Sequence, residues 1–156
     1  MSMNTDPDVV ADGLRAWVRG IYPLEAGVEL LIRSCGGRFA SSGMPWVQPG
    51  EDPGWWWVDV DQLSADNFAA LSGGETRILS IAAALLGGTP VNLYDAIPGL
   101  DRDHAQLVLA ALAHACGSHE HRGALVPDPE GRYRAVDGTR MRIRRLGSLY
   151  PWPRAE

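Results

Sequence analysis

Four side chains of metal-ligand type lie within the eight residues 114–121, HACGSHEH. Imidazole nitrogen and thiolate sulfur are the ligands that zinc prefers. A helical pattern ends near Cys116, so the two later histidines fall on a loop that could fold back, where Cys35 or His104 could add a ligand. The segment therefore predicts a zinc site built from His114, Cys116, His119 and His121.

A structural interpretation of the same segment requires no cofactor. Histidines near the C-terminal end of a helix suit its negative dipole end, and Cys116 continues an apolar stripe, as a core residue would. Cys116 beside His114 or His119 would also match a cysteine nucleophile with its base. The sequence assigns neither an oxyanion loop nor an orienting acid to that pair. No catalytic residue is therefore predicted.

A second group of residues has the spacing of a nucleotide-binding motif. LSGGE (71–75) opens a helical pattern, VNLYD is a short extended segment that ends at Asp95, and Leu100-Asp101 follows. These segments resemble the ATP-binding cassette (ABC) ATPases, and the resemblance implies an ATP-dependent activity. However, the sequence has no lysine for a GxxxxGK[ST] phosphate loop, only 70 residues precede the motif, and Ala96 replaces the family's catalytic glutamate.

A capping box explains LSGGE without ATP. In the pattern S-x-x-E, the Ser72 hydroxyl accepts from the backbone N–H of Glu75, and the Glu75 carboxylate accepts from the N–H of Ser72. The sequence therefore predicts that these two residues begin a central helix, and that the similarity to ABC ATPases is coincidental.

Longer segments resemble another group of proteins. YPLEAGVELLIRS, LSGGETRILSIAAALLGGTPVNL, GLDRDHAQLVLAALAHACGSH and GSLYPWP are similar to small proteins of high-GC actinobacteria and their mobile elements. All 14 basic residues are arginine, as GC-rich codon usage favours. This resemblance implies an origin, such as an accessory protein of a phage or mobile element, and no particular chemistry.

Arginines dominate the C-terminal part of the chain. Residues 122–156 hold 8 arginines and 4 acids, whereas residues 1–121 hold 6 arginines and 15 acids. A two-residue Asp137-Gly138 turn would place Arg134 opposite Met141. One face of that hairpin could then bind phosphates and stack a base, and its candidate anion-binding residues are Tyr133, Arg140, Arg142 and Arg144. The alternative is a solvated edge on which arginines block unwanted strand pairing.

Aromatic side chains mark a candidate partner surface. WWWVDVD alternates as a strand, so Trp55 and Trp57 share one face and Trp56 takes the other. Either both faces are covered by the core, or Trp55 and Trp57 form a protein-binding patch with Trp46 at its rim.

The elements that must position these groups indicate a single α+β domain. Four main helices form the body, and strands near 55–61 and 124–145 form a small antiparallel sheet against it, including a C-terminal three-stranded β-meander. The segments are a helical hairpin (1–37) that begins at Asp6-Pro7, a Pro/Gly-rich loop with the Trp strand (38–62), central helices (63–121) and a basic meander with tail (122–156). In the second long central helix, from about Asp101 to Cys116, Val108, Leu109 and Leu112 belong to an apolar stripe that should face the core.

The bulk features favour a cytoplasmic protein. The N-terminus MSMNTDPD lacks a basic signal region, no apolar run is long enough to span a membrane, and the two cysteines suit free thiols. We expect a non-enzymatic protein–protein interaction or accessory module. The alternatives are an anion or nucleic-acid binder that uses the arginine hairpin, and a small metal-dependent or thiol enzyme.

Overall fold

The computed structural model describes residues 5–119 and 123–154, and it confirms the α+β class. Six α-helices precede the C-terminal strands, two of them only four residues long: α1 Pro7–Val18, α2 Tyr22–Arg33, α3 Ala65–Phe68, α4 Gly73–Gly87, α5 Leu93–Ala96 and α6 Arg102–Ala115. Short 3₁₀ helices occupy Cys35–Ala40 and Val60–Gln62. The strands are β1 Val47–Pro49, β2 Trp56–Val58, β3 Gly123–Pro127, β4 Tyr133–Arg134 and β5 Arg140–Arg145.

Helix α2 is the centre of the body, where it packs on α1, α4 and α6. The predicted start of α1 is confirmed, because the Asp6 carboxylate accepts from the Asp8 amide and Pro7 occupies the first turn. On α2, Val28, Leu30 and Leu31 are fully buried. Burial of these apolar side chains stabilises the helices more than their intrinsic propensity does.

A short antiparallel hairpin, β1–β2, closes one side of the body against α1. Val47 pairs with Val58, and both side chains are buried. The chain then leaves the sheet, because residues 60–62 form a 3₁₀ turn rather than the continuation of a strand. Asp59 caps this turn, since its carboxylate accepts from the Asp61 amide at 3.2 Å.

The C-terminal strands form a separate antiparallel sheet in the order β3–β5–β4. The prediction that strands near 55–61 and 124–145 form one sheet against the body is wrong. No strand of the C-terminal sheet packs extensively on a helix within the described residues. The two strand regions therefore belong to different sheets, and only β1–β2 is anchored in the core.

Two local predictions are also wrong. VNLYD is not extended, because the Asn92 side chain accepts from the Tyr94 amide and begins α5. On α6, the apolar stripe expected to face the core instead leaves Leu109 and Leu112 exposed, while Leu107 and Val108 are buried. An alanine-rich helix with apolar residues on several sides does not define its buried face by periodicity alone.

Among the described helices, none has the length and apolarity to cross a membrane.

Candidate functional site

Side chains from three separate segments converge at one end of the body. Glu25 lies in the first turn of α2, His114 in the last turn of α6, and His119 in the turn that follows α6. The two imidazoles stack with ring centroids 3.8 Å apart, and the ring of Tyr22 meets His119 edge-on. This clasp, defined as Glu25, His114 and His119, ties the start of α2 to the end of α6.

The Glu25 carboxylate is the hub of the clasp. One oxygen, Oε1, lies 3.0 Å from His114 Nε2 and 3.7 Å from His119 Nε2, while Oε2 accepts from the Gly20 amide at 3.0 Å. Burial alone would raise the pKa of Glu25, but the hydrogen bonds from His114 and Gly20 outweigh it and hold the pKa below its usual value. The carboxylate is therefore ionised at neutral pH and faces both imidazoles.

The C-terminal tail, residues 147–154, closes over the clasp. The Trp152 indole N–H donates to His114 Nδ1 at 3.1 Å. Since an indole nitrogen can only donate, Nδ1 carries a lone pair, and neutral His114 holds its proton on Nε2, facing Glu25. Arg33 also holds the tail, because it lies over the Trp152 ring and donates to the Pro153 carbonyl at 3.2 Å.

The structure brings together two of the four predicted metal ligands. His114 and His119 meet, whereas Cys116 is exposed and its thiol is not part of the clasp. His121 lies outside the described residues. Glu25 was not predicted, because it stands 89 residues before His114 and, in sequence, is only an acid in the first turn of a helix. No local spacing signal could have identified it.

The Cys116 thiol does not hydrogen-bond to His114 or His119, so the alternative of a Cys116–histidine pair is not met, and another thiol meets a histidine instead. Cys35 Sγ lies 3.6 Å from His104 Nε2. Asp101 Oδ2 lies 3.1 Å from His104 Nδ1 but outside the direction of a ring hydrogen bond. Burial raises the pKa of the Cys35 thiol and the Glu75 carboxylate raises it further, so this geometry favours a neutral thiol over an activated nucleophile.

The N-terminus of α4 confirms the predicted capping box. The Ser72 hydroxyl accepts from the Glu75 amide at 3.3 Å, and the Glu75 carboxylate accepts from the Ser72 amide at 3.0 Å. Arg38 donates to the same carboxylate at 2.6 Å. The protein's own anion therefore occupies the positive end of this helix, where a phosphate would otherwise bind.

We expect Ser72→Ala to lower the free energy of unfolding by about 1 kcal/mol, because the Glu75 amide loses its acceptor. Chemical denaturation measures this change, and ATP affinity should be equal in both proteins. Ser42→Ala, a serine outside the helices, is the control and should leave stability unchanged. Tight ATP binding that disappears in Ser72→Ala would contradict the capping interpretation.

The three tryptophans proposed as a partner surface separate into two environments. Trp46 is only 1% exposed, and its indole N–H donates to the Phe39 carbonyl at 2.8 Å, so it belongs to the core and not to a binding patch. Trp55 and Trp57 are 51% and 37% exposed on the outer face of the β1–β2 hairpin. The Trp46 prediction is therefore wrong, because the loop before β1 turns inward at this residue.

The C-terminal hairpin has a different register from the predicted one. Tyr133 pairs with Met141 and Arg134 with Arg140. The connection is a three-residue loop instead of a two-residue turn, because Gly138 takes a left-handed conformation (φ 85°) and its amide donates to the Ala135 carbonyl. This shift by one residue moves Tyr133 away from the predicted arginine cluster and brings Arg134 to it.

The C-terminal sheet has two chemically distinct faces. Alternation along β5 and the pairing of β3 and β4 define the arginine face, which contains Arg134, Arg140, Arg142 and Arg144. The same pairing defines the apolar face, which contains Leu125, Pro127, Tyr133, Met141 and Ile143, with Arg145 at its end opposite Gly123. On the arginine face, Arg142 pairs with Asp128 at 2.8 Å, whereas no ion pair to a described residue engages the other three arginines.

Comparisons with known proteins identify one partial similarity. No family model matches the chain, and no solved structure matches it. The chain is 33% identical over 104 aligned residues to an ATP-dependent lipid A-core flippase of Albidiferax ferrireducens. The match covers 58% of this chain and only 18% of the flippase, so the chain spans less than a fifth of that protein.

Proposed function

We propose that this chain is a non-enzymatic protein-interaction module that binds a partner protein through the apolar face of its C-terminal sheet. One observation carries the proposal. Leu125, Ile143 and Tyr133 are 55%, 49% and 49% exposed, so about half of each residue is open to solvent on the face they share. A small sheet in water gains stability from a covered apolar face, and contiguous exposed apolar surface is typical of interaction sites.

The chemistry of the surrounding sheet indicates the kind of partner. Strand β5 is central, so the outer edge of β3 offers unpaired backbone groups to an added strand. The arginine face, on the opposite side, provides positive charge around that edge. An extended or sheet-forming partner with acidic flanking residues fits both features.

Other features support an accessory role inside the cell. Cys35 and Cys116 are both free thiols, which are typical of a reducing compartment. The flippase similarity does not extend to catalysis, because the chain has no lysine for a phosphate loop and Ala96 stands at the position of the catalytic glutamate. We accordingly place the module in the cytoplasm, as an accessory protein of a phage or mobile element.

Two matched variants on neighbouring residues of β5 test the surface. Ile143→Asp changes the apolar face and Arg144→Ser changes the arginine face, and each lowers the net charge by one. Partners captured from the native host are identified by mass spectrometry, and their affinities are then measured with purified proteins. We expect Ile143→Asp to weaken binding at least about 30-fold, and Arg144→Ser to weaken it less than about fivefold.

A result in which Ile143→Asp binds the purified partner as tightly as the wild type would contradict the proposal. Circular dichroism of each variant checks that the fold is intact. We expect an intact body in both variants, because the C-terminal sheet that carries the substitutions packs separately from it. Analytical ultracentrifugation of the wild type distinguishes a heterologous partner from a second copy of this chain.

The arginine face favours a second candidate function, the binding of nucleic acid or another polyanion. Three of its four arginines lack an ion pair to any described residue. Arg140, Arg142 and Arg144 alternate along β5, and Arg134 pairs with Arg140, so all four lie on one face. The same variants separate the two functions, because Arg144→Ser should reduce the salt dependence of nucleic-acid binding by about one unit of slope while Ile143→Asp leaves it unchanged.

A further inference from the structure

We propose that the clasp of Glu25, His114 and His119 is a binding site for a divalent transition metal of the zinc class, and that metal binding releases the C-terminal tail. One ligand atom from each side chain lies within 4.8 Å of the other two. These atoms come from α2, α6 and the turn after α6, so the site exists only in the folded chain.

The distances within the clasp suit tetrahedral zinc. Zinc binds imidazole nitrogen and carboxylate oxygen at about 2.0–2.1 Å, which separates neighbouring ligand atoms in a tetrahedron by about 3.3–3.4 Å. Glu25 Oε1 lies 3.0 Å from His114 Nε2 and 3.7 Å from His119 Nε2, so the two distances lie on either side of this value. Because the two imidazole rings stack at 18° with centroids 3.8 Å apart, one ring must rotate so that both Nε2 lone pairs point to the ion.

The donor set selects the class of metal. Two imidazoles and one carboxylate suit zinc and its neighbours in the first transition row, whereas calcium and magnesium prefer shells made of oxygen. All three side chains are partly exposed, so solvent can reach the clasp and supply the fourth ligand. Structural zinc sites have four protein ligands, whereas other zinc sites have three protein ligands and one position open to water, as the clasp would.

Trp152 makes metal binding and tail docking mutually exclusive. The indole N–H donates to His114 Nδ1, which requires a lone pair on that nitrogen. A metal on Nε2 displaces the Nε2 proton, and the neutral imidazole then carries its proton on Nδ1. Two N–H groups would face each other, so Trp152 must leave. Zinc bound at His114 Nε2 therefore removes the hydrogen bond from Trp152 to His114 Nδ1 that holds the tail closed.

Isothermal titration with ZnCl₂ on the full chain, free of affinity tag and stripped by a chelator, tests the site. We expect one zinc ion per chain and no binding of MgCl₂ or CaCl₂. His119→Gln should weaken zinc binding by about a hundredfold or more, because even the outer partners of metal ligands contribute about 10–100-fold. His104→Gln, a histidine outside the clasp, is the matched control and should bind zinc as the wild type does.

The coupling to the tail is tested by Trp152→Phe, which keeps an aromatic ring and removes the indole N–H. We expect it to bind zinc about fivefold more tightly, since one competing hydrogen bond is lost, while Trp55→Phe leaves the affinity unchanged. In the wild type, zinc should shift the indole ¹H–¹⁵N resonance that is missing from Trp152→Phe. Zinc affinity unaffected by His119→Gln would overturn the site, and equal affinity in Trp152→Phe would overturn the coupling.

Discussion

Trp46→Ala is expected to lower the free energy of unfolding by about 3–5 kcal/mol, as truncation of a large buried side chain does. The indole is almost fully buried between Phe39 and Phe68, whose ring centroids lie 6.2 and 6.1 Å from its own. Its N–H also donates to the Phe39 carbonyl, so alanine would leave both a cavity and a buried carbonyl without its partner. Urea denaturation monitored by circular dichroism measures the loss.

Two controls separate the parts of this effect. Trp46→Phe keeps most of the ring volume and removes the hydrogen bond, so it should cost less than Trp46→Ala. Trp57→Ala removes the same side chain from the exposed face of the neighbouring strand and should cost at most about 1 kcal/mol. Equal losses for Trp46→Ala and Trp57→Ala would show that Trp46 does not belong to the core.

Gly13→Ala is expected to lower the free energy of unfolding by about 1–3 kcal/mol, because α1 packs closely on the β1–β2 hairpin at this residue. A Cβ atom at Gly13 would lie 2.5 Å from the Gly54 carbonyl oxygen and 2.7 Å from Trp56 Cδ1. The backbone of Gly54 and the partly buried ring of Trp56 cannot both move aside without cost. In an exposed helix the same change would instead raise stability by about 1 kcal/mol.

The sign of the change in stability therefore decides between close packing and helix propensity. Gly43→Ala is the matched control, since a Cβ atom there meets no heavy atom within 4 Å. Thermal unfolding of both variants beside the wild type supplies the comparison. A Gly13→Ala protein more stable than the wild type would contradict the close packing of α1 on the hairpin.

Local signals predicted much of the fold. The Asp6-Pro7 start of α1, the capping box of α4 and the two-faced strand at Trp56 each depend on residues within a few positions of one another. Hydrogen bonds between near neighbours and alternation along one strand can be inferred from sequence, because the groups that interact are close in the chain. The capping box also accounts for LSGGE without a bound nucleotide.

Features that depend on a choice between similar local geometries were predicted less well. Asp137-Gly138 fits both a two-residue and a three-residue loop, and the longer loop moves Tyr133 to the other face of the sheet. On α6, the exposed Leu109 and Leu112 fit the apolar pattern no worse than Leu107 and Val108, which are buried. In both places the sequence pattern allowed two answers of similar local energy.

The sequence by itself determined the residue types available for chemistry. It excluded a lysine-based phosphate site and supplied the histidines of residues 114–121 as metal-ligand candidates. Only the tertiary structure decided which groups meet, because helix packing brings Glu25 to His114 and the tail brings Trp152 to the same ring. Contacts between residues so distant in the chain arise from the burial of helix faces, and burial depends on the whole fold rather than on local spacing.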